Sequence, residues 1–88
     1  MTNLPSIIPE MTDTARIDVL LATLNATDVG SLEAIAQKME QVQEDLSSWG
    51  QGDLAAAATE AVAALRRGDV AEFRRGRAFL QSKIGHLR

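Results

Sequence analysis

Residues 49–70 read "WGQGDLAAAATEAVAALRRGDV", and the two ends of that stretch decide the fold. Each end is a break. On one side, Gly50 or Gly52 can take the positive φ that closes a helix, and Asp53 can cap the helix that follows. On the other, Gly68 fits the position just past a helix C-terminus and Asp69 fits an N-cap, with Glu72 three residues later as in a capping box. Between the breaks, seven of the twelve residues Leu54–Leu65 are alanine. Alanine has the highest helix propensity and almost no side-chain bulk. The segment therefore predicts a helix whose stripe of Leu54, Ala58, Ala61 and Leu65 lets a neighbour approach closely.

Toward the N-terminus, Leu32, Ile35, Met39, Val42, Leu46 and Trp49 alternate three- and four-residue steps, a heptad seam on a helix that ends near Ser48–Trp49. "NATDVGS" (residues 25–31) interrupts the chain before it, with Asp28 or Ser31 as the next cap. A first helix, starting within residues 10–14 and reaching Asn25, carries Ile17, Leu20, Leu21 and Leu24 on one stripe. Ala15, Val19, Ala22 and Ala26 lie opposite, so this helix is expected to touch two neighbours. Toward the C-terminus, Val70, Phe73, Leu80, Ile84 and Leu87 repeat the spacing of the second helix, with Arg77 filling the remaining seam position. Gly76 lies beside that stripe. It weakens the helix by about 1 kcal/mol relative to alanine, which either leaves room for another helix packed over it or is a tolerated weakness; the sequence favours neither.

The expectation is an all-α protein: a compact antiparallel bundle of four short helices, arranged as two helical hairpins. Residues 10–88 form the single bundle domain. Pro5 and Pro9 hold their preceding residues out of helical geometry, so residues 1–9 are expected to be a flexible arm, which Ile7 and Ile8 could anchor on a subunit. Aromatic residues are 3% of the chain, so the core must be aliphatic and thin, and a thin core in a chain of 88 residues invites a second subunit. A homodimer is therefore the expected state.

Charge is unevenly placed. Residues 1–65 carry ten acids and two bases, giving −8, and residues 66–88 carry seven bases and two acids, giving +5. Two uses compete. The bases can pair internally: if the seams of the second and fourth helices meet, Arg74, Arg77 and Lys83 would face Glu33, Glu40, Glu44 and Asp45. Alternatively Arg66, Arg67, Arg74, Arg75, Arg77, Lys83 and Arg88 could contact a polyanion, making the chain a nucleic-acid-binding accessory protein. On a helix, successive side chains turn by about 100°, which scatters these bases over several flanks and argues against one groove-reading face.

Phe79 falls about 100° or more from the Phe73–Leu80–Ile84 stripe, so it is expected in a homodimer contact or against a third helix. Arg75 and His86 share its side of the helix, so Phe79, Arg75 and His86 are the candidate interface residues of the fourth helix, beside Ile7 and Ile8 of the arm.

The motifs of catalysis are missing. There is no cysteine, and the only histidine, His86, has no acidic partner at metal-ligand spacing. No Gly-rich phosphate loop, nucleophile elbow or HExxH occurs. No cofactor, metal or enzymatic activity is expected. "MTNLPSIIPEM" has neither the basic lead nor the apolar run of a signal peptide, so a cytoplasmic protein without a membrane partner is expected.

"SSWGQGDLAAAA" (residues 47–58) resembles the helix–Trp-Gly turn–helix centre of the WXG100 secreted proteins. That resemblance implies a dimeric helical hairpin that is exported. The chain departs from the pattern in having glycine one and three residues after Trp49 rather than two, in lacking any tyrosine of a C-terminal secretion tail, and in its two further breaks. The reading the residues favour is a small, non-catalytic, self-associating helical module for protein–protein contacts: a scaffold, adaptor or chaperone-like part.

Overall fold

The computed structural model describes residues 13–87. Among them lie four α-helices and one 3₁₀ turn: α1 (Asp13–Asn25), the turn Ala26–Asp28, α2 (Leu32–Ser48), α3 (Gly52–Arg66) and α4 (Val70–Gly85). The all-α bundle expected from the sequence is what forms. Ile7, Ile8, Arg88 and the arm assigned to residues 1–9 lie outside the described residues.

The breaks work as the residue types dictate. Gly50 (φ 79°) and Gly68 (φ 86°) both take the left-handed conformation. After α2, Gln51 N–H reaches back to Leu46 O at 2.9 Å and Gly50 N–H to Ser47 O at 3.1 Å. After α3, Asp69 N–H bonds Ala64 O at 2.8 Å and Gly68 N–H bonds Leu65 O at 3.0 Å. Both ends are therefore Schellman motifs, in which a glycine lets the chain reverse while satisfying carbonyls that have no helical partner. Ser31 Oγ accepts from Ala34 N–H at 3.1 Å and Asp69 Oδ1 from Glu72 N–H at 3.0 Å, starting α2 and α4.

Two local expectations fail. Asp53 does not cap α3: the helix begins one residue earlier, Gln51 occupies the cap without a side-chain bond, and Asp53 sits in the first turn, where its charge still favours the positive helix end. The capping box of α4 is half made, because Glu72 turns outward to Arg75 (2.6 Å) and Asp69 N–H is already taken by the Schellman bond.

α2 and α3 form a hairpin. The chain reverses at Gly50, and Arg66 at the end of α3 returns to Glu33 near the start of α2. α3 packs along both α2 and α4, while α1 touches α2 and α4 from the other side with its Ile17, Leu20 and Leu24 buried; the opposite face that was expected to meet the second neighbour stays open, with Val19 and Ala22 exposed. No Cα of α2 comes within 8 Å of one of α4 among the described residues. The seams of α2 and α4 thus both enter one core, with Met39, Val42, Leu46, Leu80 and Ile84 fully buried, but as opposite corners of the bundle rather than as a direct pair. The physical reason is the alanine face of α3, where Ala55, Ala58, Ala61 and Ala64 are buried and let both neighbours in. The outer ends of the two seams stay wet: Leu32 and Val70 are about half exposed.

The structure decides for the packed alternative at Gly76. A Cβ built on it would stand 3.1 Å from Ala61 Cβ of α3. A β-branched side chain there would have to push α3 and α4 apart. Gly76→Val is expected to lower unfolding free energy by about 1–3 kcal/mol, read by urea denaturation. Replacing the caps, Ser31→Ala or Asp69→Ala, is expected to cost about 1 kcal/mol each by the same measurement.

Candidate functional site

The residues singled out on α4 separate into three groups. Arg75 and Phe79 come together with Gly76 on an open groove of about 340 Å³ between α3 and α4. Its floor is small: Ala57 and Ala61 from α3 and Gly76 from α4, a consequence of the alanine-rich sequence and the close helix approach. Phe79 forms one wall and remains 46% exposed, so no third helix of the bundle covers it. Lys83 Nζ lies 5.7 Å from the centre of its ring, in cation–π range. Glu60 on α3 and Glu72 on α4 supply acid to the rim. His86, expected beside Phe79, caps the C-terminus of α4 in an exposed position and does not line the groove.

The second group is the bases that pair internally, and they do so differently from the expectation. Arg66 of α3, not Arg74, Arg77 or Lys83 of α4, meets the acids of α2: its two terminal nitrogens donate to Glu40 and Glu33 at 3.0 Å each. Its pKa is raised above the ordinary guanidinium value, first by the hydrogen bond to Glu40 and then by that carboxylate's charge. Arg77, the odd polar member of the α4 seam, donates to Asp28 and, at 3.4 Å, to Thr27 Oγ1. Thr27 is itself buried and donates to Leu24 O at 2.6 Å, so the 3₁₀ turn is where this seam position finds its polar partners. Lys38 Nζ to Ala26 O (3.1 Å) and Gln81 to Asn25 (2.9 Å) tie the same turn region to α2 and α4. Arg75 bonds Glu72 on its own helix, and that hydrogen bond is the main cause of its raised pKa. The expected α2–α4 charge ladder does not form because α3 stands between the two helices.

The third group is Arg67, Arg74 and Lys83. All three are exposed, and none has a carboxylate partner among the described residues. Lys83 is set apart from the other two along α4. Arg67 caps the end of α3, Arg74 lines a cleft with Leu32 and Val70 at one end of the bundle, and Lys83 leans over Phe79 toward the other.

A contact that sequence reasoning missed is Arg16 over Trp49, with the guanidinium carbon 5.0 Å from the ring centre. It clamps the start of α1 to the end of α2, and the only signal for it was the presence of the chain's one tryptophan near a helix end. Among the described residues, no group of three His, Asp or Glu side chains could hold a metal ion, and no helix is long and apolar enough to cross a membrane.

Comparison with family models, with curated proteins and with solved structures returned no match. The Trp49–Gly50 turn does join two helices, as the WXG100 resemblance implies, but among the described residues four helices stand where that resemblance implies one long hairpin.

The Arg77 contacts predict a local stability effect. Arg77→Ala removes both donations into the 3₁₀ turn and leaves the seam short of a side chain, so it is expected to destabilise the fold by about 1–2 kcal/mol in urea denaturation. Arg74→Ala, with no partner to lose, is expected to change it by less than about 0.5 kcal/mol.

Proposed function

We propose that the chain is a small non-catalytic helical interaction module that works by protein–protein contact and self-associates. The observation that carries this reading is the groove between α3 and α4. It offers a floor of alanine and glycine, one large half-exposed aromatic, and a rim with both signs of charge. Aromatic residues and arginine are the side chains that interfaces enrich, and they carry most binding energy where a flat small-residue surface lets a partner approach. The thin aliphatic core points the same way, since a second subunit would shelter apolar surface that one short bundle leaves wet.

Against the polyanion reading stands the engagement of Arg66, Arg75 and Arg77 by carboxylates and the separation of Lys83 along α4 from Arg67 and Arg74. A protein that binds nucleic acid through such bases must neutralise several phosphates at once, and its affinity must fall steeply with salt. The export role implied by the WXG100 resemblance has in its favour only the Trp49–Gly50 turn.

Sedimentation equilibrium separates these readings. The expected result is a mass rising toward twice that of the chain as concentration increases, with no retention on a heparin column at physiological salt. Retention on heparin that is lost with rising salt, together with a monomeric mass at every concentration, would move the nucleic-acid reading ahead.

A further inference from the structure

The groove has a property that self-association alone does not require. On its α3 side Glu60 and Ala57 line the groove and Asp53 follows one turn further along the same helix face: an acid, a half-buried small residue and an acid. On its α4 side Arg75 and Phe79 line the groove and Lys83 follows one turn further on, a base, an aromatic and a base, with Glu72, already bonded to Arg75, also on the rim. The Ala61–Gly76 contact fixes the relative height of the two antiparallel helices. Counting about 1.5 Å per residue from that contact, Glu60 stands level with Arg75, Ala57 with Phe79, and Asp53 with Lys83, each to within about 3 Å. Within one molecule these rows lie side by side, and none of the three α3 residues bonds its counterpart: Arg75 turns to Glu72 and Lys83 to the Phe79 ring, while Glu60 and Asp53 have no cationic partner among the described residues.

A two-fold axis running along the groove brings the rows together. Such a rotation keeps each residue at its height but exchanges the sides, so α3 of one molecule faces α4 of the other, antiparallel to it. Each Phe79 then lies over the partner's Ala57. Each Arg75 faces the partner's Glu60, and each Lys83 the partner's Asp53. Every one of these contacts occurs twice, as an isologous interface demands. Other modes of stacking the same face, such as an axis across the groove, put α3 on α3 and set acid against acid.

We propose that the chain forms a symmetric homodimer through this groove, with α3 of each protomer against α4 of its partner and Phe79 seated over Ala57 of the second copy. This rests on the self-associating reading above and specifies its surface and symmetry. The small floor lets the backbones approach, Phe79 supplies the apolar anchor, and the charged rows select register and partner.

The test uses two charge reversals at exposed positions, Glu60→Lys and Arg75→Glu, each checked for folding by circular dichroism. Each variant alone sets like charges against each other twice, so its dimer dissociation constant should rise about tenfold or more. An equimolar mixture of the two should regain wild-type affinity. In the mixed dimer the two reversed side chains face each other with opposite charge, and the unaltered Arg75 of one protomer faces the unaltered Glu60 of the other. The recovered species should therefore contain one copy of each variant. Phe79→Ser should raise the constant by a similar factor. If wild-type chain dimerises but the mixture associates no better than the separate variants, or Phe79→Ser has no effect, the proposed geometry is wrong while self-association stands. If wild-type chain is monomeric throughout, the self-associating reading itself is wrong and this interface goes with it.

Discussion

The structure depends on how near α4 comes to α3. Gly76 meets Ala61 at a distance where a β-carbon has almost no room, and the alanines along α3 keep that approach open over the length of the helix. Once α3 can be approached this closely on two sides, it takes the place between α2 and α4. The large aliphatic side chains of those two helices then converge on one core from opposite corners, and α1 closes it. Burying a side chain such as Leu46 or Leu80 contributes about 1.5–3 kcal/mol, whereas a solvated ion pair contributes little. The aliphatic core therefore holds the fold, and the charges adjust to where it puts the helices.

That ordering explains the cationic end of the chain. The bases do not form a ladder between α2 and α4, because the backbone separation set by α3 forbids one. Arg66 is carried by α3 itself to the edge of α2, where one guanidinium reaches two carboxylates seven residues apart, two turns on one helix face. Arg77, placed by periodicity where an apolar side chain belongs, is accepted because the 3₁₀ turn brings Asp28 and Thr27 to it. The bases left over are spread around the bundle, and one of them, Lys83, joins the aromatic wall of the α3–α4 groove.

Much of this was legible in the residues. Gly68 and Asp69 marked a helix end because their roles rest on local backbone geometry, which nearby sequence largely determines; at the other breaks Gly52 stood beside Gly50 and Asp28 beside Ser31 as equal candidates. The core positions Ile17, Leu20, Met39, Leu46, Phe73 and Leu80 followed from periodicity, while at Gly76 the cost of glycine inside a helix pointed only to packing or to tolerated weakness. What could not be read was which seam lies against which. Both heptad seams are compatible with direct contact or with a shared core, and only the packing of α3 decides between them. For the same reason the partners of Arg66 and Arg77 were out of reach, as they lie 26 or more residues away in the chain. Phe79 was recognised as displaced from the apolar stripe, but the groove beside it needed the Ala61–Gly76 height to appear.

The same close contact that organises the core creates the surface that function would use. By keeping side chains short where α3 and α4 meet, it leaves a groove with Phe79 on its edge and sets the two charged rows level with each other. Fold and candidate interface thus share one origin. The measurement that tests this most directly is a nuclear Overhauser spectrum of the isotopically labelled protein. A strong cross-peak between the Ala61 methyl and the Gly76 α-protons is the result the account predicts. Its absence, with those α-protons instead close to α2 methyls such as Val42, would contradict it.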